Sequence, residues 1–125
     1  MRIAAVVATV LLSVLALFQL ALAAGVPWGR AAYGGIWPGV LPRGIRINSA
    51  VFGLVFYPLA TLYVLDAAGI RETQWLPAPS VVLWVLAVFF AIGTGMNAIS
   101  RSPVERWWAP VSLGLAASCA VLALG

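Results

Sequence analysis

The residues in this chain able to do chemistry are few and mostly of one kind. There are seven arginines, three acids, one cysteine, and no lysine or histidine. Arginine carries a planar fork that donates paired hydrogen bonds to phosphate or carboxylate. Five of the seven, Arg30, Arg43, Arg46, Arg101 and Arg106, fall in two segments that also hold Trp28, Tyr33, Trp37, Asn97 and Glu105. Together these ten residues make a candidate site for an anionic lipid headgroup, an anionic ligand or an acidic partner. The plainer reading of the same arginines is a topology signal that also holds anionic lipid.

The missing side chains narrow the field. Without histidine and with a single cysteine, haem, zinc and copper sites of the usual kinds are excluded, and no metal or cofactor is expected. Cys119 alone forms neither an internal disulfide nor a redox pair. No serine, histidine and acid triad can be assembled, so no catalytic residue is assigned. None of the three acids falls in the middle of an apolar stretch, which weakens the case for proton-coupled transport.

The elements that must carry these residues follow from composition. Hydrophobic residues make up 64% of the chain and charged residues 8%, far below the roughly 25% charged of a soluble domain. So little polar surface cannot cover a soluble core, and a bilayer-crossing helix needs about 20 apolar residues. Four stretches qualify, at about 3–24, 49–68, 80–100 and 102–124. The expected fold is a single all-α domain: a four-transmembrane-helix bundle with a long loop rich in Gly, Pro and Trp between helices 1 and 2. The first stretch, with Arg2 before it and Ala21-Leu22-Ala23-Ala24 at its end, also has the form of a secretory signal. Its apolar run is longer than a signal core of about 7–15 residues, so it is read as a retained helix.

Loop 1 spans residues 25–44, and nine of its twenty residues are Gly or Pro, which excludes a long regular helix. Its aromatics favour the membrane interface or the helix ends, so a folded loop packed on the bundle is expected. In loop 3, Ser102-Pro103-Val104-Glu105 has the pattern of a capping box that starts helix 4 at Ser102. Glu105 is also placed to pair with Arg43, Arg46 or Arg101. Pro58 is expected to kink helix 2, with Tyr57, Thr61 and Tyr63 as candidates for lining a pocket there. Ala87, Ala91 and Gly95, and Gly114 with Ser118, form small-residue stripes suited to close helix packing. With four spans, loops 1 and 3 share one face, carrying five arginines against one acid, while Arg2 and Arg71 balance Asp66 and Glu72 on the other. The positive-inside rule then puts both arginine-rich loops in the cytoplasm and both termini outside.

Two stretches bear a likeness to something known. Gly25-Val26-Pro27-Trp28-Gly29, Tyr33-Gly34-Gly35 and Pro38-Gly39-Val40-Leu41-Pro42 form the first. Asn97-Ala98-Ile99-Ser100-Arg101-Ser102-Pro103-Val104-Glu105-Arg106, closing on Ala109-Pro110-Val111, forms the second. They resemble an uncharacterised family of small bacterial four-helix membrane proteins. The resemblance implies four helices and the bacterial inner membrane, and brings no known activity. Small multidrug-resistance transporters carry a glutamate inside helix 1, where this chain has only Gln19. Fluoride channels and glutathione-linked membrane enzymes also lack their motifs here. Three function classes survive: a non-catalytic binding or accessory subunit, a small homo-oligomeric transporter or channel, and a membrane enzyme acting on a lipophilic substrate. The first needs only features already visible. Membrane lipid is the expected partner and nucleic acid is not, while a homo-oligomer or larger membrane complex stays open.

Overall fold

A computed structural model describes residues 1–72 and 75–125. Among them the regular structure is entirely helical. Helix α1 runs Arg2–Ala24, α2 Arg43–Ala67, α3 Pro79–Ala98 and α4 Trp108–Leu124. Four helical stretches are long and apolar enough to cross a membrane, with mean hydropathies from 1.6 to 2.5. Their outward faces carry Ile3, Leu17, Leu54 and Ile92 exposed. So many apolar side chains facing outward suit a lipid surface and not a water-facing one.

The inward face of α1 follows a heptad. Ala5, Ala8, Leu12 and Leu15 are buried in the main core and Leu22 in a second cluster at the loop-1 end. Alternating three- and four-residue steps keep one seam facing the neighbouring helices. Gly53 brings α1 and α2 together, since a Cβ there would lie 2.8 Å from the Leu20 side chain and 3.1 Å from the Ala16 carbonyl oxygen. A Cβ at Gly114 of α4 would lie 3.0 Å from the Leu11 side chain, and Ser118 is buried, so that small-residue stripe packs inside the bundle. In the other expected stripe only Ala87 is buried; Ala91 and Gly95 lie on the outside of α3. Helices α3 and α4 pack along their length, whereas α2 and α3 meet much less extensively.

Two boundaries differ from the sequence expectation. Helix α2 begins at Arg43, six residues before Ser49. Charge in residues 43–48 argues against lipid burial but not against helix, and a helix can project past the apolar layer. Pro42 stands at its cap. Helix α4 begins at Trp108, after a short 3₁₀ turn over Glu105–Trp107, because Ser102 and Glu105 bond elsewhere. The expected disturbance at Pro58 takes a definite form: Phe52–Phe56 is a π-helical turn in which the Tyr57 N–H reaches back to the Phe52 carbonyl. The widened turn lies just before the residue that lacks an N–H and would crowd a regular turn.

Candidate binding site

Loop 1 is built from the inside outward. Helix α1 is capped at Gly25, and the Gly25 and Val26 N–H groups bond back to Leu22 and Ala21, satisfying carbonyls left open at the helix end. Gly29 then donates to the Gly39 carbonyl at 3.0 Å, folding the loop on itself. Its α-carbon sits so close that an added Cβ would overlap the Trp37 and Gly39 carbonyl oxygens, at 1.8 and 2.6 Å. Beneath, Leu22, Ala32 and Leu41 form a small buried cluster, with Phe18, Tyr33, Trp37 and Ile45 packed against it. Trp28 is exposed but stacks on Phe18, with ring planes 6° apart.

Tyr33 holds an unusual backbone. Tyr33, Gly34 and Gly35 all have positive φ, at 51°, 69° and 74°, a left-handed turn that glycine adopts freely and tyrosine does not. The Tyr33 phenol is fixed at its far end: it shares a 2.9 Å hydrogen bond with the buried Ser49 hydroxyl and accepts one from the Asn48 amide at 2.9 Å. The turn thus trades backbone strain for a tie to the start of α2.

Three groups after α3 then lock loop 1 in place. The Glu105 carboxylate accepts the Gly34 N–H at 2.8 Å, the Trp108 indole donates to the Ala31 carbonyl at 2.9 Å, and the Ser102 hydroxyl donates to the Arg30 carbonyl. This corrects the reading of loop 3 as a capping box. Ser102 and Glu105 satisfy backbone groups of loop 1, not the first turn of α4, whose Trp107 cap position has no side-chain hydrogen bond. Nor does Glu105 form an ion pair with an arginine among the described residues; its carboxylate accepts the Gly34 N–H instead. A buried loop backbone needs partners more than an exposed helix start does.

The arginines divide. Arg46 donates through Nε to the Ala23 carbonyl at 3.1 Å, and Arg106 through Nε to the Ser100 carbonyl at 2.7 Å. Each thus serves a carbonyl at or just past the negative end of a helix, α1 and α3 respectively. Arg30, Arg43 and Arg101 are exposed, and their guanidinium groups make no hydrogen bond or ion pair among the described residues. Asn97 faces inward, its amide donating to the Ser112 hydroxyl at 3.2 Å.

Below loop 1 lies a cavity of about 180 Å³. Phe18, Tyr57, Phe89, Phe90 and Trp108 supply ring surface, Leu15, Ala31, Ala32 and Gly93 fill between them, and Tyr33 and Glu105 close the loop-1 end. Gln19, Asn97 and Ser112 are its other polar wall groups. Among the described residues, the side-chain oxygen of Gln19 is buried with no hydrogen-bond partner. Phe89 both lines the cavity and is 41% exposed, so the cavity reaches the outer surface beside this ring. Of the tyrosines and threonine expected to line a pocket near Pro58, only Tyr57 does so; Tyr63 donates to the Pro77 carbonyl and Thr61 to the Tyr57 carbonyl.

Tyr33, Asn97 and Glu105, alone among the ten candidate residues, border the cavity. Trp28, Trp37 and the five arginines belong to loop 1 and the helix ends around it. The sequence reading missed Gln19, Ser102, Trp108 and Ser112 as members. Gln19 carried a signal, since it continues the inward series 5, 8, 12, 15 toward 22. Ser102 and Trp108 carried none, because their partners are backbone atoms more than seventy residues away. Among the described residues, no three His, Cys, Asp or Glu side chains gather as a metal ion would require. No known family model, curated protein or solved structure matches this chain.

Proposed function

We propose that the chain is a multi-pass protein of the bacterial inner membrane, acting as a non-catalytic binding or accessory subunit whose loop-1 face engages an anionic headgroup. One observation carries this reading: the acid among the arginines, Glu105, is turned inward onto Gly34, while Arg30, Arg43 and Arg101 stay exposed. Their charge is therefore not neutralised by the acid within the fold. Arg43 also sits at the positive end of the α2 dipole, where a cation is unfavourable by about 0.3–1 kcal/mol. That position suits contact with an anion better than helix stability. Near an anionic surface each basic residue contributes roughly 1 kcal/mol of attraction.

Native mass spectrometry on detergent-purified protein tests it. Wild type should retain phosphatidylglycerol over phosphatidylcholine. Arg30→Gln combined with Arg101→Gln should lose that preference. Arg30→Lys and Arg101→Lys should weaken it, because lysine keeps the charge and loses the fork. Retention unaltered by the glutamine pair would leave these arginines as a topology signal only.

A further inference from the structure

The cavity under loop 1 has a chemical bias of its own. Its polar and aromatic surface is electron-rich on several sides: six aromatic rings, the Gln19 carbonyl oxygen and the Glu105 carboxylate. No arginine lines it. Glu105 is 7% exposed, yet only its Oε2 has a hydrogen bond among the described residues, the one from Gly34. A buried carboxylate with one backbone donor lacks the partners that offset its removal from water. The Gln19 side-chain oxygen is buried and has no hydrogen-bond partner among the described residues. What completes both is a donor that carries positive charge.

We infer that this cavity binds a small lipophilic organic ammonium, its charge toward Glu105 and its apolar substituents among the rings. Aromatic faces attract cations, and the attraction grows when both are desolvated. A cavity of about 180 Å³ limits the guest to a compact amine with a few carbon substituents. A phospholipid headgroup does not fit the same chemistry, because its phosphate would share the cavity with Glu105 and find no cation there. Entry is from the side, beside Phe89, and not through the locked loop. This site is separate from the arginine face and does not depend on the function proposed above.

Equilibrium dialysis at neutral pH in nonionic detergent with N,N-dimethylbenzylammonium, which keeps one N–H to donate, and with its uncharged carbon isostere isobutylbenzene, provides the test. Wild type should bind the cation saturably at one per chain, and about tenfold or more tighter than the isostere at equal free concentration. Glu105→Gln keeps an oxygen to accept the Gly34 N–H and removes the charge, so it should weaken cation binding by about tenfold or more and leave isostere binding unchanged. Resistance of loop 1 to trypsin at Arg30 would show that the lock survives in that variant. Gly93→Leu fills the cavity from α3, where a Cβ meets only the Ser112 hydroxyl at 3.7 Å. It should abolish cation binding with helix content intact. Equal binding of cation and isostere, an unchanged Glu105→Gln, or an unchanged Gly93→Leu would each overturn the assignment.

Discussion

Gly29 has no room for a methyl group. The Trp37 and Gly39 carbonyl oxygens occupy the space a Cβ would need, and both belong to backbone that cannot swing aside as a side-chain tip can. Gly29→Ala should therefore open loop 1 while leaving the helices in place, read as rapid tryptic cleavage at Arg30 with unchanged helical circular dichroism. Resistance equal to wild type would mean that the loop folds without this close approach. Glu105→Ala acts on the same loop from the other side, stranding the Gly34 N–H at a cost of about 1–3 kcal/mol. It should raise the cleavage rate where Glu105→Gln does not. At this scale the sequence showed which residue types mattered better than what they touch. Arginine, tryptophan and the Gly/Pro framework marked loop 1. Yet Arg46, Arg106, Ser102, Glu105 and Trp108 all bond to backbone atoms, and no residue pattern records which distant carbonyl or N–H will be left over.

Helix existence was legible and helix starts were not. The apolar runs mark all four long helices, because a helix able to cross a membrane needs length and hydrophobicity together. The starts of α2 and α4 depend instead on polar residues, where charge was read as loop and a capping pattern as a cap. Ser102 and Glu105 match the cap pattern in type and spacing; loop 1 competes for the same oxygens and takes them. The π-helical turn over Phe52–Phe56 illustrates a subtler limit, since Pro58 announces a disturbance but not whether the helix bends or widens. Within that turn, Gly53 is the contact that sets the distance between α1 and α2. Gly53→Val would force a branched side chain against Leu20 and the Ala16 carbonyl, an overpacking of about 1–3 kcal/mol. Thermal unfolding in detergent should show a lower midpoint, and Leu20→Ala in the same chain should restore part of it. No rescue would mean that the Ala16 carbonyl sets the limit, not the Leu20 side chain.

For the whole molecule, the four antiparallel helices place the ends of α1 and α3 and the starts of α2 and α4 together, and loop 1 covers that end. The charge split between the two ends was legible because it is a count over loops and needs no knowledge of packing. On the orientation argued from it, a cysteine at Ile36 should be shielded from an impermeant maleimide in intact cells and one at Trp75 labelled, both in a Cys119→Ala background. Both sites are exposed on the folded chain, so the result reports the side of the membrane and not burial. Labelling of Ile36→Cys from outside would invert the assigned topology.

The three bonds that lock loop 1 join residues 71, 72 and 77 positions apart. Synthesis proceeds from the N-terminus, so loop 1 leaves the ribosome well before Ser102, Glu105 and Trp108 exist. Its backbone groups must wait for almost the entire chain, and the cavity below it has no finished roof until then. The first loop made therefore gains these three bonds only after Trp108 has been added. A cysteine at the buried Ala32 should react with maleimide in nascent chains arrested after Ala98 and become protected once α4 has been added. Protection already present in the arrested chain would show that Gly29, Tyr33 and Leu41 hold the loop unaided.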